Sequence, residues 1–259
     1  MALVEQEIKE AIGIITLNNS QKRNCLSEPL VEGLIQSLDA FRESKVPVVI
    51  LRAAEDCKVW SAGHDVKELP RSLRDPLGYF DPLERVLRAV QEYPGPVIAM
   101  VHGGVWGGAC DLVMCCDMVV GDETATFAIT PAKLGLPYNV SGILHFVNRV
   151  GLNIAKEMFF AAEPIPAERA ERVGILNHRV SADELLPFTM GLAKTIASRS
   201  ALSVSVIKEQ FRILSGSRSL SPEVFEHIQG LRRRVYDSHD YQEGITSFLE
   251  KRSPVFTGN

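Results

Sequence analysis

Two glycine-bearing turns are the segments whose residue types and spacing best fit a chemical function. The first is Ser61-Ala62-Gly63-His64-Asp65, the second runs from Gly103 to Asp111, and each follows an apolar, strand-like run. Gly63 permits a sharp bend that would turn the N–H of His64 outward. A helical pattern begins at Gly107-Gly108, so the N–H of Gly108 would be an unpaired donor of a first helical turn. Paired donors of this kind stabilise an enolate or a tetrahedral oxyanion, and losing one typically costs roughly 10²–10³ in rate.

Both turns also have plainer interpretations. His64 could be a loop histidine with ordinary hydrogen bonds, and the glycines at 107 and 108 could serve only close packing. The second turn is not a dinucleotide fingerprint, because the GxGxxG order and the later acidic residue are not both present. Ser61, His64 and Asp65 are not expected to form a hydrolytic triad, since triad residues converge from separated segments.

The elements around the turns predict an α/β fold. Three continuously apolar runs are typical of buried strands, namely Val46–Leu51, Pro96–Val101 and Asp117–Gly121. Apolar residues at helical spacing lie between them, over 83–90 and 112–116. Strands that alternate with helices in this way predict a parallel sheet with right-handed crossovers.

The two ends of the chain differ from this alternating middle. Residues 4–18 predict a hairpin with Gly13 as a possible bulge, and Ser27 is the expected N-cap of the next helix. From about residue 153 the pattern is mostly helical, including 167–173, 201–214 and 222–236. We therefore expect a single domain over 1–259, with an α/β core over 1–190 and a helical C-terminal region over 191–259.

Composition excludes several classes of protein. Of the 259 residues 46% are hydrophobic and 23% charged, which is typical of a globular protein and argues against disorder. The net charge of −4 does not indicate nucleic-acid binding. The basic cluster Arg232-Arg233-Arg234 is expected to be a solvated or interface-pairing face. No apolar run approaches a membrane span and the N-terminus lacks a signal-peptide pattern, so we predict a cytoplasmic protein without a membrane role.

Cysteines and histidines give no sign of a metal site. The five cysteines are Cys25, Cys57, Cys110, Cys115 and Cys116, an odd number without ligand spacing, and we expect free thiols in a reducing compartment. His102, His145, His178, His227 and His239 share no ligand spacing either, so no metal is predicted. A thiol nucleophile at Cys110 or Cys115 is a remote option, because both lie in an apolar helix where thiols are usually inert.

These motifs together resemble the crotonase (enoyl-CoA hydratase/isomerase) superfamily, from about Ile14 to Phe256. Within the superfamily, the sequence resembles most specifically the decarboxylases that act on malonyl-type thioesters. The segments that carry this narrower resemblance are the first turn, Val105–Ala109, Thr130-Pro131, Leu134–Asn139 and Tyr236–Ser238 with Lys251. The resemblance implies a spiral of ββα units and trimers that often pair into hexamers. It also implies a CoA thioester whose carbonyl oxygen sits between the N–H groups of His64 and Gly108.

The resemblance also bears on the type of reaction. Hydratases of the superfamily carry two glutamates, which suit a reaction in which one group takes a proton and another delivers one. The matching positions here are Asp111, one methylene shorter, and Ala132, which cannot titrate. Loss of CO₂ needs no base, because two positioned donors can stabilise the enolate. We therefore expect decarboxylation of methylmalonyl-CoA or a close malonyl-type CoA thioester, without a cofactor.

Residue roles follow from the same resemblance. The implied catalytic residues are His64, Gly108 and Tyr138, whose phenol would orient the substrate carboxylate or relay a proton. The implied substrate-binding residues are Ala62, Gly63, Asp65, Val66, Trp106, Thr130 and Leu134, and the implied CoA-binding residues are Lys22, Arg23 and Lys251. Tyr138 and Asp111 also have structural readings. Another crotonase reaction, such as hydration, isomerisation or thioester hydrolysis, and a non-catalytic CoA-binding subunit remain the alternative functions.

Overall fold

The computed structural model describes residues 2–70, 75–216 and 220–258 of the chain. Strands in these ranges are β1 (Val4–Lys9), β2 (Ile12–Leu17), β3 (Val48–Ala53), β4 (Val59–Ser61), β5 (Val97–Val101), β6 (Gly104–Trp106), β7 (Met118–Gly121), β8 (Thr126–Ala128), β9 (Ile165–Pro166) and β10 (His178–Arg179). Helices there are α1 (Glu28–Glu43), α2 (Pro82–Gln91), α3 (Gly108–Cys115), α4 (Val140–Ala161), α5 (Ala167–Arg172), α6 (Ala182–Ala197), α7 (Ala201–Ser215), α8 (Pro222–Tyr236) and α9 (His239–Glu250). The described chain after β10 is thus helical.

The strands form two sheets, and successive strands along the chain alternate between them from β3 to β8. The larger has the order β1-β2-β3-β5-β7-β10, in which β1 is antiparallel to β2 and the following pairs are parallel. The smaller has the order β4-β6-β8-β9, and its first three strands are parallel. The pairs β3/β4, β5/β6 and β7/β8 each send one strand into each sheet, and a helix follows each pair. The expected spiral of ββα units is confirmed.

Burial on both faces explains the continuously apolar strands. All six residues of β2 are buried. Ile15 packs into the main apolar cluster, which includes side chains of α1 to α4, whereas Ile14 belongs to a second cluster with Leu185 and Ala193 of α6. Successive strand residues point to opposite faces, so a strand covered on both sides needs an apolar residue at every position.

The N-terminal hairpin is confirmed, but the expected bulge at Gly13 is wrong. The register of β1 and β2 runs without a break from the pair Val4 and Leu17 to the pair Lys9 and Ile12. A Cβ at position 13 would lie 2.6 Å from the Phe41 ring. Glycine is therefore needed here to make room for an aromatic side chain, not to bend the strand.

The helical part of the chain begins earlier than residue 153. α4 starts at Val140, and the side chain of its N-cap Asn139 accepts a hydrogen bond from the N–H of Gly142. Position 190 lies inside α6, which covers the larger sheet, and the division of the domain at that position stays a prediction.

The C-terminal helices pack against the region of the two turns. A Cβ at Gly244 of α9 would lie 2.1 Å from the Leu134 carbonyl oxygen, so α9 lies directly on the turn Pro131–Leu134. Arg232 of α8 is buried and makes a two-pronged ion pair with Asp75 of the same chain, so the predicted solvated or interface-pairing face does not include this arginine. Within the described ranges, no helix has the length and apolar character that crossing a membrane requires.

Candidate active site

The first turn is fixed by backbone contacts directly after β4. Gly63 has a φ of +84°, in the region that favours glycine, and a Cβ there would lie 2.4 Å from the Trp106 carbonyl oxygen. The N–H of Leu26, in the loop before α1, donates to the Gly63 carbonyl over 2.8 Å. The backbone at His64 is therefore held from both sides, independently of its imidazole.

The second turn joins β6 to α3. Gly107 has a φ of +56°, and its N–H donates to the Ala128 carbonyl of β8 over 2.8 Å. Its own carbonyl accepts from Cys110 over 2.9 Å, which starts the helix. Gly108 is the first helical residue, so its N–H has no acceptor within the helix and lies at the positive end of the helix dipole.

The two turns touch, and this contact brings the two N–H groups side by side. A Cβ built on Gly63 would lie 2.8 Å from the Gly108 nitrogen, and one built on Gly108 would lie 3.4 Å from the His64 nitrogen. Among the described residues, neither nitrogen finds a hydrogen-bond acceptor in the protein. The structure thus places two unpaired donors next to each other, and their use by one external oxygen stays a prediction.

Both donor residues line a cavity of about 370 Å³. The predicted site residues in its wall are Lys22, Arg23, Ala62, His64, Asp65, Val66, Gly108, Thr130, Leu134 and Tyr138. Further wall residues that the sequence analysis did not assign to the site are Cys25, Lys67, Leu69, Leu77, Leu83, Gly107, Ile129, Pro131, Leu136 and Phe248. Gly107, Pro131 and Leu136 belong to the turn and motifs discussed above. The others are mostly apolar and carry no local signal for a site, because they come together only in the tertiary structure.

Three predicted residues lie outside the described cavity wall. Gly63 shapes the first turn through its backbone conformation and has no side chain to reach the cavity. Trp106 is half-buried, and its ring lies 2.5 Å from where a Cβ on Gly104 would stand. Lys251 is exposed at the C-cap of α9, although Phe248 of the same helix lines the cavity. The structure therefore does not bring the Trp106 ring or the Lys251 ammonium to the cavity surface.

The imidazole of His64 serves as an anchor. Its Nδ1 lies 3.0 Å from the Asp65 carbonyl oxygen, and its Nε2 lies 3.2 Å from both carboxylate oxygens of Asp81. Burial alone would lower the pKa of His64, but the hydrogen bond and charge of Asp81 outweigh burial and raise it. The Ser61 hydroxyl donates instead to the Asn24 carbonyl over 2.7 Å, so no triad forms.

Asp81 supports the candidate site through His64, and the sequence analysis missed it. Besides holding His64, its Oδ1 accepts from the N–H of Leu83 over 2.9 Å and so caps α2. A signal was available, because Asp81-Pro82-Leu83-Glu84 has an N-cap residue, proline at the first helical position and glutamate at the third. Its partner could not be read from sequence, since His64 lies seventeen positions away.

A buried polar chain runs behind the cavity from Tyr138. The Tyr138 hydroxyl donates to Asp111 Oδ2 over 2.6 Å, and Asp111 Oδ1 lies 2.7 Å from His145 Nδ1. His145 Nδ1 also lies 3.3 Å from the sulfur of Cys115, and its Nε2 lies 3.0 Å from the Gln91 side-chain nitrogen. The Asp111 side chain is completely buried, and these two partners satisfy its charge.

Burial and the charge of one carboxylate set the protonation states of these hydrogen-bonded side chains. Burial and then the charge of Asp111 raise the pKa of Tyr138 well above its usual value, so the phenol stays protonated. Burial alone would lower the pKa of His145, but Cys115 and Asp111 next to it raise it. We attribute the increase to Asp111, because burial raises the pKa of the Cys115 thiol and keeps it uncharged near neutral pH.

A second buried carboxylate, Glu84, lies in the same region. Its Oε1 accepts from the Asn139 amide over 2.6 Å and its Oε2 from the Ser141 hydroxyl over 3.2 Å. Burial raises its pKa against the effect of the Asn139 hydrogen bond. These bonds tie α2 to the start of α4, and sequence gives no signal for them because the two helices are far apart in the chain.

Only one group of three potential metal ligands is found among the described residues. Asp111, Cys115 and His145 each bring one ligand atom within 4.8 Å of the others. The 2.7 Å between Asp111 Oδ1 and His145 Nδ1 is a hydrogen bond, whereas two such atoms around a tetrahedral zinc stand about 3.3 Å apart. The group is therefore a hydrogen-bonded cluster, and the expectation of no metal stays a prediction.

Comparison with known proteins places the chain in a family. A model of the enoyl-CoA hydratase/isomerase family matches residues 7–259. The chain is 46% identical to methylmalonyl-CoA decarboxylase of Escherichia coli (strain K12), over 96% of this chain and 95% of that protein.

Two solved structures of methylmalonyl-CoA decarboxylase are also similar. One is in complex with 2-nitronate-propionyl-CoA, with a TM-score of 0.98, 44% identity and 99% of each chain covered. The other is complexed with 2S-carboxypropyl CoA, with a TM-score of 0.98, 44% identity, and 100% of this chain and 99% of that one covered. The resemblance drawn from the sequence motifs is thus confirmed, and the chain belongs to the enoyl-CoA hydratase/isomerase family.

Proposed function

We propose that this protein decarboxylates methylmalonyl-CoA, or a close malonyl-type CoA thioester, to the acyl-CoA and CO₂. One observation carries the proposal: two unpaired N–H groups lie next to each other at a cavity whose described wall holds no pair of carboxylates able to exchange protons. The similarity to methylmalonyl-CoA decarboxylase over nearly the whole chain supports it.

The carboxylates near the cavity argue against hydration. Asp65 is the one carboxylate in the described part of the wall, and its Oδ1 accepts from the N–H of Lys67 over 3.1 Å. Asp111 lies behind Tyr138, and Ala132 is exposed outside the described wall. Hydration needs one group to activate water and another to protonate carbon, and these positions do not supply that pair.

Decarboxylation uses the two donors directly. The thioester carbonyl oxygen accepts from the N–H groups of His64 and Gly108, and the C–C bond to the carboxylate breaks as CO₂ leaves. The bonding electrons pass onto the thioester oxygen, where fixed donors stabilise the enolate at no cost of reorganisation. The α-carbon then takes up one proton. This chemistry needs no cofactor, and we propose that none is used.

Residues around the donors orient the rest of the substrate. We assign to Tyr138 the role of orienting the substrate carboxylate or relaying a proton to the α-carbon, because the Tyr138 phenol stays protonated and lines the cavity. Thr130, whose Oγ1 would lie 3.4 Å from a Cβ on Gly107, stands next to the second donor turn. Lys22 and Arg23 line the cavity and suit the CoA phosphates, since cations pair well with phosphate oxygens. We retain Lys251 as a weaker CoA contact.

Assembly and location complete the proposal. α7 exposes large apolar side chains, including Leu202 and Ile213 at 76% and 56% exposure, which supports a homotrimer or a dimer of trimers. All five cysteines are unpaired, as the sequence predicts, and free thiols fit a reducing cytoplasm.

The direct test follows the fate of methylmalonyl-CoA with purified protein. We expect propionyl-CoA and CO₂ in equal amounts, and loss of both after Gly108→Val, which fills the space at the second donor. Hydration of crotonyl-CoA in place of CO₂ release, free CoA, or a shifted double bond would each support another crotonase reaction. CoA binding without turnover of any thioester would support a binding subunit instead.

A further inference from the structure

A polar path connects the proposed active site with a second cavity. Tyr138 lines the first cavity and donates to Asp111, which in turn lies 2.7 Å from His145. His145 lines a separate cavity of about 360 Å³ together with Cys115 and Lys208. The path is continuous in hydrogen bonds, and its middle member, Asp111, has no exposed surface.

The proposed reaction gives such a path a use, and the inference rests on that proposed function. A malonyl-type carboxylate leaves as neutral CO₂, so the remaining enolate must take up one proton in every turnover. A protein group that protonates the α-carbon must regain that proton before the next turnover. While the CoA thioester fills the first cavity, the second cavity offers another route for the proton.

We propose that His145, acting through Asp111, resupplies the proton that Tyr138 delivers to the α-carbon. The O–H bond of Tyr138 breaks as the new C–H bond forms, and the electron pair of the enolate makes that bond. The phenolate oxygen takes a proton from Asp111, which has accepted the Nδ1 proton of His145. Neutral His145 then regains one proton from solvent in the second cavity, which balances the reaction.

The charges facing these groups support this direction of transfer. Asp111 and Cys115 face His145 from α3, and Glu84 and Gln91 do so from α2. The Asp111 carboxylate favours a protonated imidazole, so the donor at the end of the path is charged before each turnover.

The chemistry of Tyr138 and Asp111 is also consistent with this proton transfer. A thioester enolate carbon is a much stronger base than a phenolate, so the raised pKa of Tyr138 does not prevent transfer to it. Asp111 is one methylene shorter than the glutamate of the hydratases. Its carboxylate stands behind Tyr138 and acts through it, which makes Asp111 and His145 positioning residues.

The experiment compares the wild type with His145→Gln and with Asn148→Ala, a matched control. Asn148 lines the same second cavity but donates to the Ser215 carbonyl and lies off the path. We expect His145→Gln to lower kcat about 10- to 100-fold with KM within about twofold, because glutamine bonds but carries no transferable proton. Asn148→Ala should match the wild type. Thermal unfolding of each variant shows that it is folded at the assay temperature.

Three further readouts separate proton supply from a structural role. In ²H₂O the wild type should place one deuterium on a single face of propionyl-CoA, and His145→Gln should lose that facial preference. Added imidazole should restore much of the activity of His145→Ala, since the adjoining cavity has room for it. The double variant Tyr138→Phe with His145→Gln should be no slower than the slower single variant, as residues of one path act as a unit.

The relay would be overturned if His145→Gln kept the wild-type kcat and still placed deuterium on one face of propionyl-CoA. It would also be overturned if the fold-losses in kcat of the two single variants multiplied in the double variant. If His145→Gln does not fold, failure of imidazole to raise the activity of folded His145→Ala would overturn it. These outcomes differ from failure of the proposed function, in which the wild type itself releases no CO₂ from methylmalonyl-CoA.

Discussion

Replacing Gly63 with alanine tests whether the two turns form one oxyanion site. The added Cβ would stand 2.4 Å from the Trp106 carbonyl oxygen and 2.8 Å from the Gly108 nitrogen. Ordinary contact begins near 3.4 Å, so the turns must separate by about 1 Å at their closest point. A misplacement of about 1 Å can cost 10²-fold, and loss of one donor about 10²–10³. We expect kcat to fall by about 10²- to 10³-fold in an assay of CO₂ release.

Gly174→Ala is the matched control for backbone strain. Gly174 has the same φ of +84°, but its nearest contact for a Cβ is the Arg149 carbonyl oxygen at 3.6 Å, outside the described cavity wall. Strain at positive φ should cost each variant about 1–3 kcal/mol of unfolding free energy in urea, and the Cβ contacts add to this cost only in Gly63→Ala. Only Gly63→Ala should lose activity. A kcat of Gly63→Ala within threefold of that of Gly174→Ala would refute the reasoning.

Three further predictions concern anchoring, substrate binding and stability. Asp81→Asn should destabilise the fold by about 1.5–3 kcal/mol below pH 6.5, because it removes a charged hydrogen bond to His64. The pKa of His64 is raised in the folded state, so this difference should shrink as the pH rises through that folded value, and equal destabilisation at pH 6 and pH 9.5 in urea titrations would contradict it. Lys22→Gln and Arg23→Gln should each raise KM for the CoA thioester about 3- to 10-fold with little change in kcat, an effect that added salt should reduce; an unchanged KM at low salt would remove these residues from the phosphate site. Lys208→Met should cost about 2–4 kcal/mol, since its mostly buried ammonium donates to two backbone carbonyls and a carboxylate; a loss below about 0.5 kcal/mol in urea unfolding would refute this.

The sequence was most informative where a feature is local. The apolar runs that became β3, β5 and β7 were readable because burial on both faces demands an apolar residue at every position. The two turns were readable because glycine at a strand end is a strong local signal. Their agreement with the motifs of one family then specified the spiral arrangement of the strands, which periodicity alone does not.

Features that depend on separated segments were missed or wrong. Gly13 was read as a bulge because the residue that needs its space, Phe41, lies on α1. Arg232 was assigned to a solvated or interface-pairing face because its partner, Asp75, lies in another part of the chain. The apolar cavity wall formed by residues such as Leu83 and Phe248 had no signal for the same reason.

The sequence by itself determined which groups are available, namely two glycine turns, a tyrosine, an aspartate one methylene short and an alanine that cannot titrate. Only the tertiary structure decided what those groups do to one another. It set the Gly63 and Gly108 turns in contact, turned the His64 ring toward Asp81, and joined Tyr138 through Asp111 to His145. The physical reason is range: backbone conformation is dictated by neighbours in sequence, whereas hydrogen bonds and charges act between whatever the fold brings within a few ångströms.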